Sequence, residues 1–250
     1  MSKFFILLIA TLPVISASAQ SNTVFLSHGK IEFEKTVNVY AQMSEQDNGE
    51  WADLLKKMSS HFKVSYFDLL FNQSKSLYRP GRETNEKQSA VFFFQPPAQD
   101  NIVFSDLETG KGISQKNIFD DLFLVQDTLR KISWKITTET RNIAGFSCRR
   151  ANAIIMDSIY VVAFYTDEIL TSGGPESFTG LPGMILGVSL PHEHVSWFAT
   201  KVEAIAVPES QLNPPVKGKK TDDAALKENV QKNLKEWGKQ GQQYIKQVLL

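Results

Sequence analysis

The sequence predicts a mainly β protein: an antiparallel curved sheet or half-barrel, with one crossing helix near the N-terminus and a helix at the C-terminus. Three observations predict it. Residues 30–40 alternate, with Ile31, Phe33, Val37 and Val39 on one side and Lys30, Glu32, Glu34, Thr36 and Asn38 on the other, the period of a strand with one wet face. Short apolar runs then recur along the chain between turn residues, the spacing of a sandwich, barrel or curved sheet. Finally, four glycines and two prolines fall within residues 173–183, and the apolar run Met184-Ile185-Leu186 follows at once.

The chain opens with the features of an export signal. Lys3 is its charged end, residues 4–14 its apolar run, and Ala17-Ser18-Ala19 a small-residue cleavage site before Gln20. That run is too short for a bilayer span, which takes about 20 residues, and no cysteine follows it to take a lipid. A soluble exported protein, periplasmic or extracellular, is therefore expected. Without residues 1–19 the chain loses Lys3 and carries a net charge of −1. That balance argues against bulk nucleic-acid binding, which needs a basic surface. Cys148 is the sole cysteine, so no internal disulfide forms, and its place within a strand reads as a small buried hydrophobe.

In the first strand only Lys35 breaks the apolar side. Asp47-Asn48-Gly49 then offers a helix start, and Trp51, Leu54, Leu55 and Met58 recur at helical spacing over 50–60. A long strand is expected over 62–71, a polar loop over 74–86, and a strand over 90–95 stopped by Pro96-Pro97. Short strands over 101–104 and 121–126 flank a loop holding Gly110 and Gly112. A further strand over 131–138 points Ile132, Trp134 and Ile136 inward. Residues 143–156 and 159–165 read as a hairpin turning at Asp157-Ser158, and residues 184–190 and 195–207 as another with Pro191-His192-Glu193-His194 at its tip. A β domain over 20–207 results.

Beyond it, Pro208, Pro214-Pro215 and Lys217-Gly218-Lys219-Lys220 mark a linker over 208–221 that should not pack. Thr221 then caps an amphipathic helix over 222–250, with Asp222 and Asp223 near the positive end of its dipole. Leu226, Val230, Leu234, Trp237, Gly241, Tyr244 and Val248 form its apolar stripe. Gly238 and Gly241 each cost about 1 kcal/mol against alanine, so the second half needs a surface to dock on, its own sheet or a partner's.

In the glycine–proline block, Pro182 presets φ and Gly183 supplies the positive φ of a type II turn. A phosphate loop is excluded: no Gly-Lys-Ser/Thr ending exists, and a turn entering a strand presents no helix N-terminus to an anion. Gly174, Pro175, Phe178, Gly180, Leu181, Pro182 and Gly183 are therefore read as a structural cover over the sheet, and an apolar cover would form one wall of a ligand cavity. The hexapeptide Gly180-Leu181-Pro182-Gly183-Met184-Ile185 resembles the signature of the GLPGLI family, with Met184 in place of its leucine. Ile132-Ser133-Trp134-Lys135-Ile136, the block over 143–151 and Phe164-Tyr165-Thr166-Asp167-Glu168-Ile169 are similar to that family's successive blocks, and the likeness spans residues 24–206. The resemblance implies an exported envelope protein found mainly in Bacteroidetes, with no established activity. Its members are often encoded beside TonB-dependent receptors, which implies a link to outer-membrane uptake machinery.

Two kinds of chemistry are open to these residues. In extended chain residues i and i+2 share a side, so His192 and His194 would meet one Zn²⁺ or Cu²⁺ if Glu193, His28 or His61 supplied a further ligand. Asp167-Glu168 is a candidate general base beside the block. However, no Gly-x-Ser-x-Gly elbow is present, and both carboxylates read more simply as solvated charges. Arg149 and Arg150 point to opposite faces of a strand, one of them pairing with a carboxylate across the sheet. The expectation is a non-enzymatic envelope protein binding an apolar small ligand, a peptide or a protein partner. The alternative is a Zn²⁺- or Cu²⁺-binding protein using His192 and His194.

Overall fold

The computed structural model describes residues 25–46, 53, 56–57, 59–84 and 97–250. The export signal over 1–19 and the strand over 90–95 lie outside the described residues, as does most of the helix expected over 50–60. Among the described residues twelve strands form one open sheet: β1 (Gly29–Asn38), β2 (Phe62–Phe71), β3 (Lys75–Pro80), β4 (Ile102–Asp106), β5 (Lys111–Ile118), β6 (Asp121–Thr128), β7 (Lys135–Ile143), β8 (Phe146–Ile155), β9 (Ile159–Thr166), β10 (Met184–Leu190), β11 (Val195–Glu203) and β12 (Lys219–Thr221). Their order is β12-β6-β5-β4-β3-β2-β1-β11-β10-β9-β8-β7. Two antiparallel meanders, β2–β6 and β7–β11, are thus joined through β1, and β12 adds a short parallel edge on β6.

Strand β1 keeps the alternation read from its sequence, odd residues buried and even residues half-exposed. It ends at Asn38, whose side-chain Oδ1 accepts the Ala41 N–H at 3.0 Å and starts helix α1 (Val39–Gln46). Strands β3 and β5, expected as loops, are two of the elements the sequence hid, along with α1 and β12. The Asn72 Oδ1 accepts the backbone N–H groups of Ser74 and Lys75, which closes a tight turn and returns Leu77 and Tyr78 to the core. The strand expected over 131–138 begins only at Lys135. Ile132 and Trp134 pack on the core ahead of it, and Ile136 is exposed.

Cross-strand partners share a face, and the register aligns Ile31, Leu69, Tyr78, Val103, Ser114 and Val125 in one row across six strands. This inner face has two covers. Over β9, β10, β11 and β1 lies the segment 167–183, whose Ile169, Phe178 and Leu181 join the main core with Phe33, Phe67 and Trp197. Over β5 and β6 lies a helical hairpin, α2 (Asp223–Leu234) and α3 (Gly238–Leu249). Its Leu226, Val230, Leu234, Tyr244 and Val248 pack with Ile118 and Val125.

Three expectations for the C-terminal region are corrected. The helix expected over 222–250 is broken by a 3-10 turn at Lys235–Trp237 and by Gly238 at φ 56°, so its apolar stripe folds back on itself and leaves Trp237 half exposed. Its cap is Asp222, whose Oδ1 accepts the Ala225 N–H at 2.7 Å, rather than Thr221. The linker also packs: Val207 and Leu212 bury against Leu70, Leu77 and Phe104 on the other face of the sheet, and residues 219–221 form β12.

Candidate functional site

The two covers meet over a buried polar centre. Lys35, the one charged residue on the inner side of β1, is 6% exposed, and the Glu176 carboxylate 3.7 Å from its ammonium is 3% exposed. Lys35 also sits 5.3 Å from the ring centroid of its cross-strand partner Trp197 and 5.6 Å from that of Phe67, at cation–π distance. Asn101, just before β4, donates its Nδ2–H to Glu176 Oε2 at 3.0 Å. Tyr78 stacks on Phe67 with centroids 4.8 Å apart. Its hydroxyl is held protonated far beyond its ordinary range by burial, with the Glu176 charge adding to the effect.

The segment around Glu176 is shaped by its glycines. Phe178 N–H donates to the Pro175 carbonyl, and Glu176 between them takes φ 50°, a left-handed conformation that costs about 1 kcal/mol or more outside glycine. A Cβ on Gly174 would meet the Phe178 carbonyl oxygen at 2.7 Å, and one on Gly183, at φ 135°, the Thr166 carbonyl oxygen at 2.1 Å. Gly183 N–H donates to the Leu181 carbonyl, so the corner is a three-residue turn about Pro182 rather than the type II turn expected. Pro182 is exposed at its tip, and Leu181, Met184, Ile185 and Leu186 beside it are buried. Gly180, at φ 90°, follows Thr179, whose carbonyl accepts the Trp134 indole N–H at 2.9 Å.

This centre is incompletely satisfied. Among the described residues the Asn101 Oδ1 is buried without a hydrogen-bond partner, and the buried Tyr78 hydroxyl and Trp197 Nε1 meet only each other, in a contact of poor hydrogen-bond geometry. Buried polar groups in folded proteins are almost always paired, so an ion pair at 3.7 Å beside an unpaired amide oxygen leaves this centre under-satisfied.

Sequence reasoning placed the cover but not this centre. Two signals pointed to it: Lys35 as the single break in the apolar side of β1, and Glu176 as the one charge inside the glycine–proline block. The other candidates fall elsewhere. Pro191–Glu193 is a 3-10 turn, and His194 is left-handed at φ 55°, so the extended geometry that would align the two imidazoles is absent. Glu193 is committed to Lys246, 2.7 Å away. His61 stacks between Tyr40 and Phe62, and His28 lines a separate groove of about 390 Å³ with Asn72, Gln73, Ser74 and Glu209. Among the described residues no group of three or more His, Cys, Asp or Glu side chains converges to hold a metal. Asp167 is exposed at the end of β9. Cys148 is fully buried, and burial pushes its thiol up to about 12, with Glu168 contributing. Arg150 pairs with Glu139 across the sheet at 2.7 Å, and Arg149 lies 3.9 Å from Asp167.

A family model described as a protein of unknown function (Porph_ging) matches residues 154–187, from the end of β8 through β9 and the cover into β10. The match fits a Bacteroidetes-associated family of unknown function. No curated protein matches the chain. Two solved structures of PNGF-II, in different crystal forms, resemble it with TM-scores of 0.53 and 0.52 at 15% and 16% identity, over 81% and 80% of this chain. The chain spans 32% of the length of either PNGF-II structure. At that identity the likeness is one of fold. No described helix is long and apolar enough to cross a membrane.

Proposed function

We propose that this chain is a non-catalytic, exported envelope protein of the GLPGLI type that binds a ligand, with the polar centre beneath residues 173–186 as its binding core. One observation carries the reading: beneath the cover the buried Lys35–Glu176 pair is flanked by an unpartnered Asn101 Oδ1 and by a Tyr78 hydroxyl and Trp197 Nε1 that make only a poor contact with each other. A hydroxyl and an amide oxygen framed by Phe67, Trp197 and Phe178 suit a ligand with an apolar body and a few polar atoms, the usual composition of a small-molecule site. The non-catalytic part is supported by Cys148, whose buried, neutral thiol is a poor nucleophile. The link to outer-membrane uptake machinery rests on the family resemblance. Native mass spectrometry of protein purified from its own envelope tests the reading. A discrete mass above that of the processed polypeptide supports it, and the bare polypeptide mass contradicts it.

A further inference from the structure

At the turn of the helical hairpin two aromatic side chains stand half exposed beside each other. Trp237, in the 3-10 turn between α2 and α3, is 49% exposed, and Phe119, between β5 and β6, is 44% exposed. Their ring centroids are 5.7 Å apart, and those of Trp237 and Phe119 lie 6.2 and 6.0 Å from that of Tyr244 on α3. Tyr244 is buried with Ile118 and Leu234 beneath the hairpin, so the exposed pair is held on a fixed base. Phe119 stands there against the preference of its own turn. Ile118 and Asp121 pair across the hairpin, which leaves Phe119-Asp120 as a two-residue turn with positive φ, 55°, at its first position alone. Such turns ordinarily carry glycine at that position, and a bulky residue in the left-handed region is strained. Burial does not repay the strain in full, since nearly half of the ring faces solvent.

The charges around the pair are mostly positive. Residues 217–220 lead into and along β12, where Lys219 lies opposite Phe123 of β6, and residues 232–239 carry Trp237 itself. With the turn at 117–121, these segments hold six lysines, Lys217, Lys219, Lys220, Lys232, Lys235 and Lys239, against three acids, Asp120, Asp121 and Glu236. All nine are exposed, and Asp121 is already paired with Lys219 at 2.6 Å. Aromatic rings settle at the headgroup level of a bilayer, and lysines beside them are drawn to anionic headgroups. We propose that Phe119 and Trp237 form a docking tip for an anionic phospholipid surface, with these lysines set against its headgroups. The charge selects lipid over a second copy of this chain, whose own tip would bring the same positive excess. The inference is independent of the ligand-binding reading, because neither ring and none of these lysines belongs to the centre around Lys35 and Glu176.

The test is cosedimentation of the full chain with vesicles of phosphatidylglycerol and phosphatidylcholine in equal parts, beside vesicles of phosphatidylcholine alone. The wild type should pellet with the mixed vesicles, stay in the supernatant with the neutral ones, and be released by raised salt. Phe119→Gly removes a ring at a position where glycine is unstrained, so its β-sheet circular dichroism should match the wild type. That variant should bind the mixed vesicles about tenfold more weakly, and so should Trp237→Ser. Lys235→Gln together with Lys239→Gln should weaken binding by about fivefold for each lysine. A wild type that ignores the mixed vesicles, binds both kinds equally, or binds as well without either ring would overturn the proposal. So would a wild-type dimer in vesicle-free sedimentation that Phe119→Gly dissociates, because it would assign the rings to a second copy.

Discussion

Glycine and charge act at single positions in this fold, and their effects are separable. Gly183 combines φ 135° with a carbonyl oxygen 2.1 Å from any added Cβ, whereas Gly110, at φ 69°, has nothing within 4 Å. Gly183→Ala should therefore cost on the order of 3 kcal/mol and Gly110→Ala only about 1 kcal/mol, a ranking that urea midpoints of the two variants would check. The Lys35–Glu176 pair makes a second case. Removing one partner leaves the other charge buried and unpaired, which costs roughly 3–5 kcal/mol. Lys35→Met and Glu176→Gln should each destabilise the protein by that order, and the double variant by clearly less than their sum. Additive effects in that cycle would mean the two residues are not coupled.

At the level of elements, strands with one wet face were legible and strands of mixed polarity were not. Strand β1 was readable because its odd positions are apolar save Lys35. The β8–β9 and β10–β11 hairpins were readable because their apolar runs end at turn residues. Strand β5, with Gly112, Ser114, Lys116 and Ile118 facing inward, carries too little apolar pattern to be seen, and its side chains are covered by α2 and α3 rather than by the sheet's own core. That long-range cover also explains why the linker and the helix break were missed. Nothing near Leu212 in sequence announces that it packs on Leu70 and Leu77, and the fold-back at Gly238 brings Tyr244 onto the surface that already holds Leu234.

The same cover gives β5 a pH signature. Burial lowers the Lys116 ammonium to about 8 from the usual 10.5, with Glu176 opposing the shift in part. Between those values the unfolded chain holds the proton and the folded chain does not, so stability rises with pH across that window. Cys148 acts in the opposite sense, because the unfolded thiol ionises around its ordinary value of 9.0 while the buried one stays protonated. Lys63, also lowered by burial, acts in the same sense as Lys116, so the Lys116 contribution is read as the difference between wild type and a Lys116 variant from pH 8 to 9. Over that interval wild-type stability should rise by about 1 kcal/mol more than that of Lys116→Met, as checked by urea titrations of both at the two pH values.

Across the whole molecule, one open sheet presents an inner face that two unlike covers divide between them, a glycine–proline segment and a helical hairpin. Where the covers meet, the apolar packing gives way to Lys35, Glu176, Asn101 and Lys116, and the hydrogen bonding is left unfinished. Sequence reading placed the first cover and the stripe that makes the second. It could not place their junction, because that depends on bringing β1, β3, β4, β5 and residues 176–177 to one point. The native mass spectrum of envelope-purified protein, recorded for the wild type beside Glu176→Gln, tests this account most directly. A discrete added mass on the wild type that is lost from Glu176→Gln is the predicted result; two spectra at the bare polypeptide mass, or an added mass indifferent to Glu176, would contradict it.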